Sequence, residues 1–258
     1  MASTVWKNGA ENDKCCSTLE SAMLPLGLQE QTAGVHHGRQ ALEPVESEKD
    51  VGTIIDKSLK PSQQCLRAAT RANQVLGQLA RAVGWRDKNT FLKLYCVYVR
   101  PHLEYAVQSW SPWLIQDKEV LEKVQRRAIR MVSNMKGKTY EERLVEANMT
   151  TLETRRFRGD LIQMYRIMTG KDDVDPKIWF QTMADTRGSG IGTRQVTGLY
   201  NVLPQESQSQ TRKNFFSQRV VAPWNGLPTW VKQSTTVNMF KNRLDEHMKQ
   251  GLFLPPSY

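Results

Sequence analysis

From residue 62 to residue 170 the apolar side chains return every three to four positions, and that period restricts the chain to packed helices. Residues 62–84, "SQQCLRAATRANQVLGQLARAVG", gather Cys65, Ala69, Ala72, Leu76, Leu79, Ala80 and Val83 on one face, with Gly84 as the stop. Arg67, Arg71, Gln74, Gln78 and Arg81 take the opposite face. Residues 87–99 begin at Asp87, a good N-cap, and are apolar nearly all round, which predicts a helix buried among others. Pro101 is expected to break that helix and open the next, "HLEYAVQSW", which Ser111-Pro112 ends. Residues 116–135 turn Val120, Leu121, Val124, Ala128, Met131, Val132 and Met135 inward and leave Ile129 on the polar side. Thr139/Glu142 and Thr150/Glu153 have capping-box spacing and predict two further helix starts. The second of these helices carries Leu161, Ile162, Met164, Tyr165 and Met168 and stops at Gly170.

The expected fold class is therefore mainly α, with little strand. Residues 1–45 mix Gly, Pro, Ser, Gln and Asn without a period and read as a poorly ordered leader. In residues 46–60, Val51, Ile54 and Ile55 predict one short strand, closed off by Pro61. A helical domain over 61–180 follows. Residues 181–212 read as a flexible polar loop with a weak hairpin around 196–203. Residues 213–258 form a partly irregular C-terminal piece, ending in a helix with Val237, Phe240, Leu244 and Met248 on its apolar face.

Charge is unevenly spread. The first fifty residues hold 4 Lys/Arg against 8 Asp/Glu, while the rest hold 32 against 18. A basic body of this kind points to a polyanion, most simply a nucleic acid. Three helical sets carry the charge: Arg67/Arg71/Arg81, Lys123/Arg126/Arg127/Arg130 and Arg155/Arg156/Arg158. Guanidinium groups at spacings of three and four can track phosphates. Interspersed Glu119, Glu122 and Glu153 equally suit a solvated face, so pattern alone leaves the two readings level. No run of about 18 apolar residues predicts a membrane span. No basic start followed by an apolar block predicts secretion, so the chain is expected inside the cell and away from membranes.

Enzyme chemistry is hard to find. Asp172 to Asp175, "DDVD", follow a helix-ending Gly and precede Pro176, which suits an acidic turn better than carboxylates converging on metal ions. Gly188 to Thr193, "GSGIGT", lack the G-x-G-x-x-G spacing and read as a loop. Cys15, Cys16, Cys65 and Cys96 have no zinc-site spacing and read as free thiols. No cofactor is implied.

Longer motifs are more specific. "YVRPHLEYAVQSWSPW", "LEKVQRRAIRMV", "TYEERL" and "TTLETRRFRGDLIQMYRIMTG" together resemble the C-terminal part of LINE-type, non-LTR retrotransposon reverse transcriptases, of the jockey-like and chicken-repeat-like kind. "SEKDVGTIIDKSLKPS" looks like the strand closing the palm in that family, and "FFSQRVVAPWNGLP" with "FKNRLD" looks like its tail. The likeness covers roughly residues 42–250. It departs from the family at Val51, where Leu is usual, at Ala147-Asn148-Met149, where a Leu-Gly-Leu-like turn is usual, and at Thr154, where Glu is usual.

The resemblance implies a thumb-like helical bundle that grips a template–primer duplex by its backbone. It also implies no polymerase activity, because the family's Tyr/Phe-Ala-Asp-Asp turn and upstream Asp are missing. RNA or an RNA–DNA duplex is the implied partner. Tyr105, Trp110, Trp113 and Leu103 are expected to pack the helices together. Arg100 and His102 sit at the expected break, where contact with phosphate and simple capping both remain open. Glu104 is expected to pair with Arg100. Two other readings stay open: a host-co-opted helical module that binds protein, and a retrotransposon remnant without a role.

Overall fold

A computed structural model describes residues 46–84, 87–133, 135–182 and 201–249, with the backbone of a two-residue antiparallel pairing, β1 (His36–His37) with β2 (Gln40–Ala41). The expectations for the rest of the leader, for Cys15 and Cys16, and for "GSGIGT" lie outside the described residues. The chain divides into two units, residues 1–64 and 65–258. It is mainly α, with short strands on the N-terminal side.

In the first unit the expected single strand is a hairpin: β3 (Ser47–Asp50) pairs antiparallel with β4 (Thr53–Asp56). Val51 lies in the two-residue turn and not in a strand. Val51 and Gly52 have φ of 40° and 86°, the double positive value of a type I′ turn. This conformation suits Gly and is strained for a β-branched residue. The side chain of Gln64 reaches back to accept from the Ile54 amide at 2.9 Å.

In the second unit, α1 (Ser62–Ala82, from Cys65 onward) buries Cys65, Ala68, Ala69, Ala72 and Leu76. α2 (Lys88–Leu94) is capped by Asp87, which accepts from the Thr90 amide. The helix does not break at Pro101. It widens into a π turn over Tyr95–Val99 and continues as α3 (Arg100–Glu104), where the Arg100 amide bonds the carbonyl of Tyr95. The wider turn accommodates the ring that would otherwise meet the carbonyl of Val97. The break comes later, where Ala106 is left-handed at φ 49°, before α4 (Val107–Trp110). The Trp110 indole N–H donates to the carbonyl of Tyr105 freed there, at 2.8 Å.

These elements correct two further expectations. Residues 87–99 are not buried all round, since Val97 and Tyr98 are 62% and 56% exposed. Leu103 and Trp110 are buried as expected and Trp113 is half-buried, but Tyr105 faces solvent.

α5 (Ile115–Arg130) buries Leu121, Val124 and Ala128, and also Ile129, placed on the polar side by the helical pattern. Ile129 is covered because neighbours pack on more than one face of this helix; Glu122 and Gln125 are buried with it. α6 (Tyr140–Glu146) opens on the Thr139/Glu142 capping box. α7 (Leu152–Met168) is capped by Thr151 and not by Thr150, because Glu122 accepts from the Leu152 amide at 3.1 Å and fixes the first turn one residue on. Gly170, at φ 63°, ends it as expected.

α8 (Pro176–Trp179) is capped by Asp175, and Asp172 accepts from Arg166 and Gln163, so "DDVD" is an acidic turn. The described part of the polar loop is not free. Val202 is buried, bridges Thr182, and exchanges two hydrogen bonds with Asn225. Four short helices follow: α9 (Gln210–Lys213), α10 (Phe216–Arg219), α11 (Val221–Gly226) and α12 (Thr229–Lys232), then α13 (Val237–Lys249).

Two apolar cores share α7. The first, under α1 to α6, ends at Leu152; the second starts at Leu161 and includes Met164, Tyr165, Phe180, Trp224, Phe240 and Leu244. In the second, Tyr165 stacks on Phe240 with centroids 4.3 Å apart, and its hydroxyl donates to the Ser234 carbonyl at 2.6 Å.

Candidate nucleic-acid interface

The eleven basic residues singled out in the sequence fall into three different environments. α1 contains no acidic residue, and its Arg71 and Arg81 are exposed, with Arg67 half-buried. α5 exposes Lys123, Arg127 and Arg130. Arg127 Nη1 donates to Asn73 Oδ1 of α1 at 3.0 Å. Asp117, early in α5, is near enough to Cys65, early in α1, for its charge to raise the thiol, which burial pushes up to about 12. Both helices contribute to the first apolar core, and the Asn73–Arg127 bond joins them on its outer side. Among the described residues no ion pair engages Arg67, Arg71, Arg81, Lys123 or Arg130.

Arg126 differs from its neighbours. It pairs with Glu119 and lies over the Tyr140 ring at 5.0 Å. Beneath it is a buried polar network. Tyr140 and Leu152 donate to Glu122, Gln125 Nε2 donates to the Thr150 carbonyl at 3.0 Å, and Tyr95 donates to Gln125 at 3.2 Å. Burial raises the Glu122 carboxyl above its ordinary value, opposed by the bond from Tyr140.

The third set is turned inward. Arg155 forks onto Glu104, whose contact with Arg100 is the longer one at 3.8 Å. Arg158 forks onto Asp245 of α13 at 2.5 and 2.8 Å. Arg156 is 4% exposed, and both its Nη atoms are buried without a hydrogen-bond partner. Arg155, Arg156 and Arg158 thus do not form the outer stripe that their spacing suggested, and Arg100, expected at the helix break, lies beside Glu104. Sequence reading missed Arg219, which forks onto buried Asp160 at 2.8 and 3.0 Å and reaches the carbonyls of Gln108 and Asn214. Its partners lie far off in sequence, so no local spacing announces them.

Among the described residues, no group of three His, Cys, Asp or Glu side chains converges as a metal cradle, and no helix is long and apolar enough to cross a membrane. What fold and surface define is a mainly helical protein with a basic two-helix face. An uncharacterized protein of Caenorhabditis elegans is 28% identical over 125 residues, which span 47% of this chain and 63% of that protein. The match thus spans a little under two thirds of that relative. No family model matches the chain, and no solved structure matches it.

Proposed function

We propose that the chain is a non-polymerising relative of the thumb and following region of a LINE-type reverse transcriptase, binding RNA or an RNA–DNA duplex non-specifically through phosphates. The observation that carries this reading is the joined face of α1 and α5. Arg71, Arg81, Lys123, Arg127 and Arg130 sit on it in solvent, and their neighbouring acids are either absent, as on α1, or committed, as Glu119 is to Arg126. Long cations without counter-acids on two helices joined at Asn73 and Arg127 suit a phosphate backbone. Asn148 adds support to the resemblance: its φ is 50°, the conformation Gly adopts freely, at the position where that family usually has Gly. The sequence contains no Tyr/Phe-Ala-Asp-Asp turn, and the proposed role needs none.

Arg71, Lys123, Arg127 and Arg130 changed singly to Ala weaken binding to unrelated RNA sequences by similar factors, each lowering the salt slope by about 1. Fluorescence anisotropy with two unrelated oligonucleotides reads this. Loss confined to one sequence contradicts it.

A protein-binding module is the second reading, favoured by one observation. Val97, Tyr98 and Tyr105 are each more than half exposed along one helical stretch, where a partner would cover apolar surface. A chain that retains a protein partner in a pull-down and shows no gel shift with RNA at low salt favours it.

A further inference from the structure

The β3–β4 hairpin has one closed edge and one open edge. The Lys57 amide donates to the Glu46 carbonyl at 3.0 Å, which makes Glu46 and Lys57 a hydrogen-bonded pair. Such pairs alternate along an antiparallel ladder. Glu48 with Ile55 and Asp50 with Thr53 are therefore bonded pairs, while Ser47 with Asp56 and Lys49 with Ile54 are not. The main-chain groups of those last four residues point away from the hairpin. On β4 they are used: the Ile54 amide donates to Gln64 Oε1 at 2.9 Å, and the Asp56 carbonyl accepts from the Leu59 amide at 2.8 Å. On β3, among the described residues, nothing bonds the outward amides and carbonyls of Ser47 and Lys49. Residues 46–49 are all exposed.

Side chains sort this edge by charge. Glu46, Glu48 and Asp50 alternate onto one face of the hairpin, and Ser47 and Lys49 onto the other. Glu46 pairs with Lys57 across the hairpin, while Glu48, between the other two acids, stands in solvent. A strand laid beside β3 sets alternate side chains against these acids at about 5 Å. A second copy of β3 would bring acid to acid there, whereas alternate lysines or arginines bring opposite charge. Two strands alone make a marginal sheet, and this hairpin also carries Val51 at positive φ. A third strand adds ladder bonds to it.

We propose that the β3 edge takes an extended peptide with Lys or Arg at alternate positions as a third strand. Ser47 and Lys49 supply the main-chain bonds, and Glu48, flanked by Glu46 and Asp50, selects the charge. This surface belongs to the first unit and does not rest on the role of the α1–α5 face.

The test uses the full chain and the peptide acetyl-Thr-Lys-Val-Lys-Val-Lys-Thr-amide, with amide exchange read by NMR. At about ten times its Kd the peptide slows exchange at Ser47 and Lys49 about tenfold, and the same peptide with Glu for Lys does not. Lys49→Pro removes an outward donor that takes no part in the β3–β4 ladder, and the peptide then no longer slows Ser47. If Lys49→Pro disturbs the hairpin, a peptide N-methylated at its valines decides, because those amides face Ser47 and Lys49 when the lysines face the acids. Exchange that the lysine peptide leaves unchanged, or slows equally after N-methylation, overturns the proposal. Slowing that follows protein concentration without peptide overturns it as well, since the occupant is then a second copy.

Discussion

Gln125 has no exposed surface, yet its amide holds together Tyr95, Tyr140 and the carbonyl of Thr150. A buried polar group is tolerated only when its partners are all present, and removing one strands the others. Gln125→Leu therefore costs about 2–4 kcal/mol in urea unfolding. A loss below 0.5 kcal/mol would mean that water enters and replaces the amide; that threshold is of the order of an ordinary surface change. Lys232 is a second buried polar residue, donating to Asn201 Oδ1 at 2.8 Å and to the Asn225 carbonyl at 3.2 Å. Burial lowers its ammonium from 10.5 to about 8. The folded chain thus releases this proton before the unfolded chain does, so the unfolded state binds more protons between those values. Stability relative to Lys232→Met rises as pH goes from about 8 to 10.5 and falls back as pH drops through 8. A flat difference across that window contradicts the burial argument. Neither residue was legible in the sequence. Gln125 lies among "KVQRRAIR", where it reads as one more polar side chain, and only a second covered face of α5 buries it.

At the scale of elements, helix positions were legible and their edges were not. The 3.6-residue period placed α1, α5, α7 and α13 because apolar stripes and end signals are local. One misreading has a partner distant in the chain, and the others come from local backbone geometry that residue propensity does not announce. Glu122 moved the start of α7 from Thr150 to Thr151, and the π turn let the helix pass Pro101. The β3–β4 hairpin was read as one strand because Val51 is a strand former, whereas here it occupies a turn at positive φ. Val51→Asn relieves that strain by about 1 kcal/mol, and slower amide exchange across β3 and β4 reads it. Faster exchange would show that Val51 is not strained. α7 carries both cores, packing against α4, α5, α11 and α13. Truncating Phe240, the ring stacked on Tyr165, costs about 3–5 kcal/mol.

For the whole molecule, net charge of +10 says that a polyanion is attracted but not where it lands. Spacing nominated three basic sets, and packing distinguished them. In the α7 set Arg155 and Arg158 pair with Glu104 and Asp245 and Arg156 is buried, while the α1 and α5 sets stayed outside. The outer sets were legible because their residues repeat along exposed arcs. The inner set looked the same in sequence, since Glu104 and Asp245 lie in other elements. The central claim is that exposed cations of α1 and α5 bind nucleic acid by displacing counterions. Its most direct measurement is the affinity for a single-stranded RNA between 50 and 200 mM salt, the range over which about six phosphate contacts lose roughly a thousandfold. The account predicts a steep linear fall of log affinity with log salt, made shallower by Arg71→Ala/Arg127→Ala/Arg130→Ala. Affinity that stays level across that range, or a slope that the triple variant leaves unchanged, contradicts it.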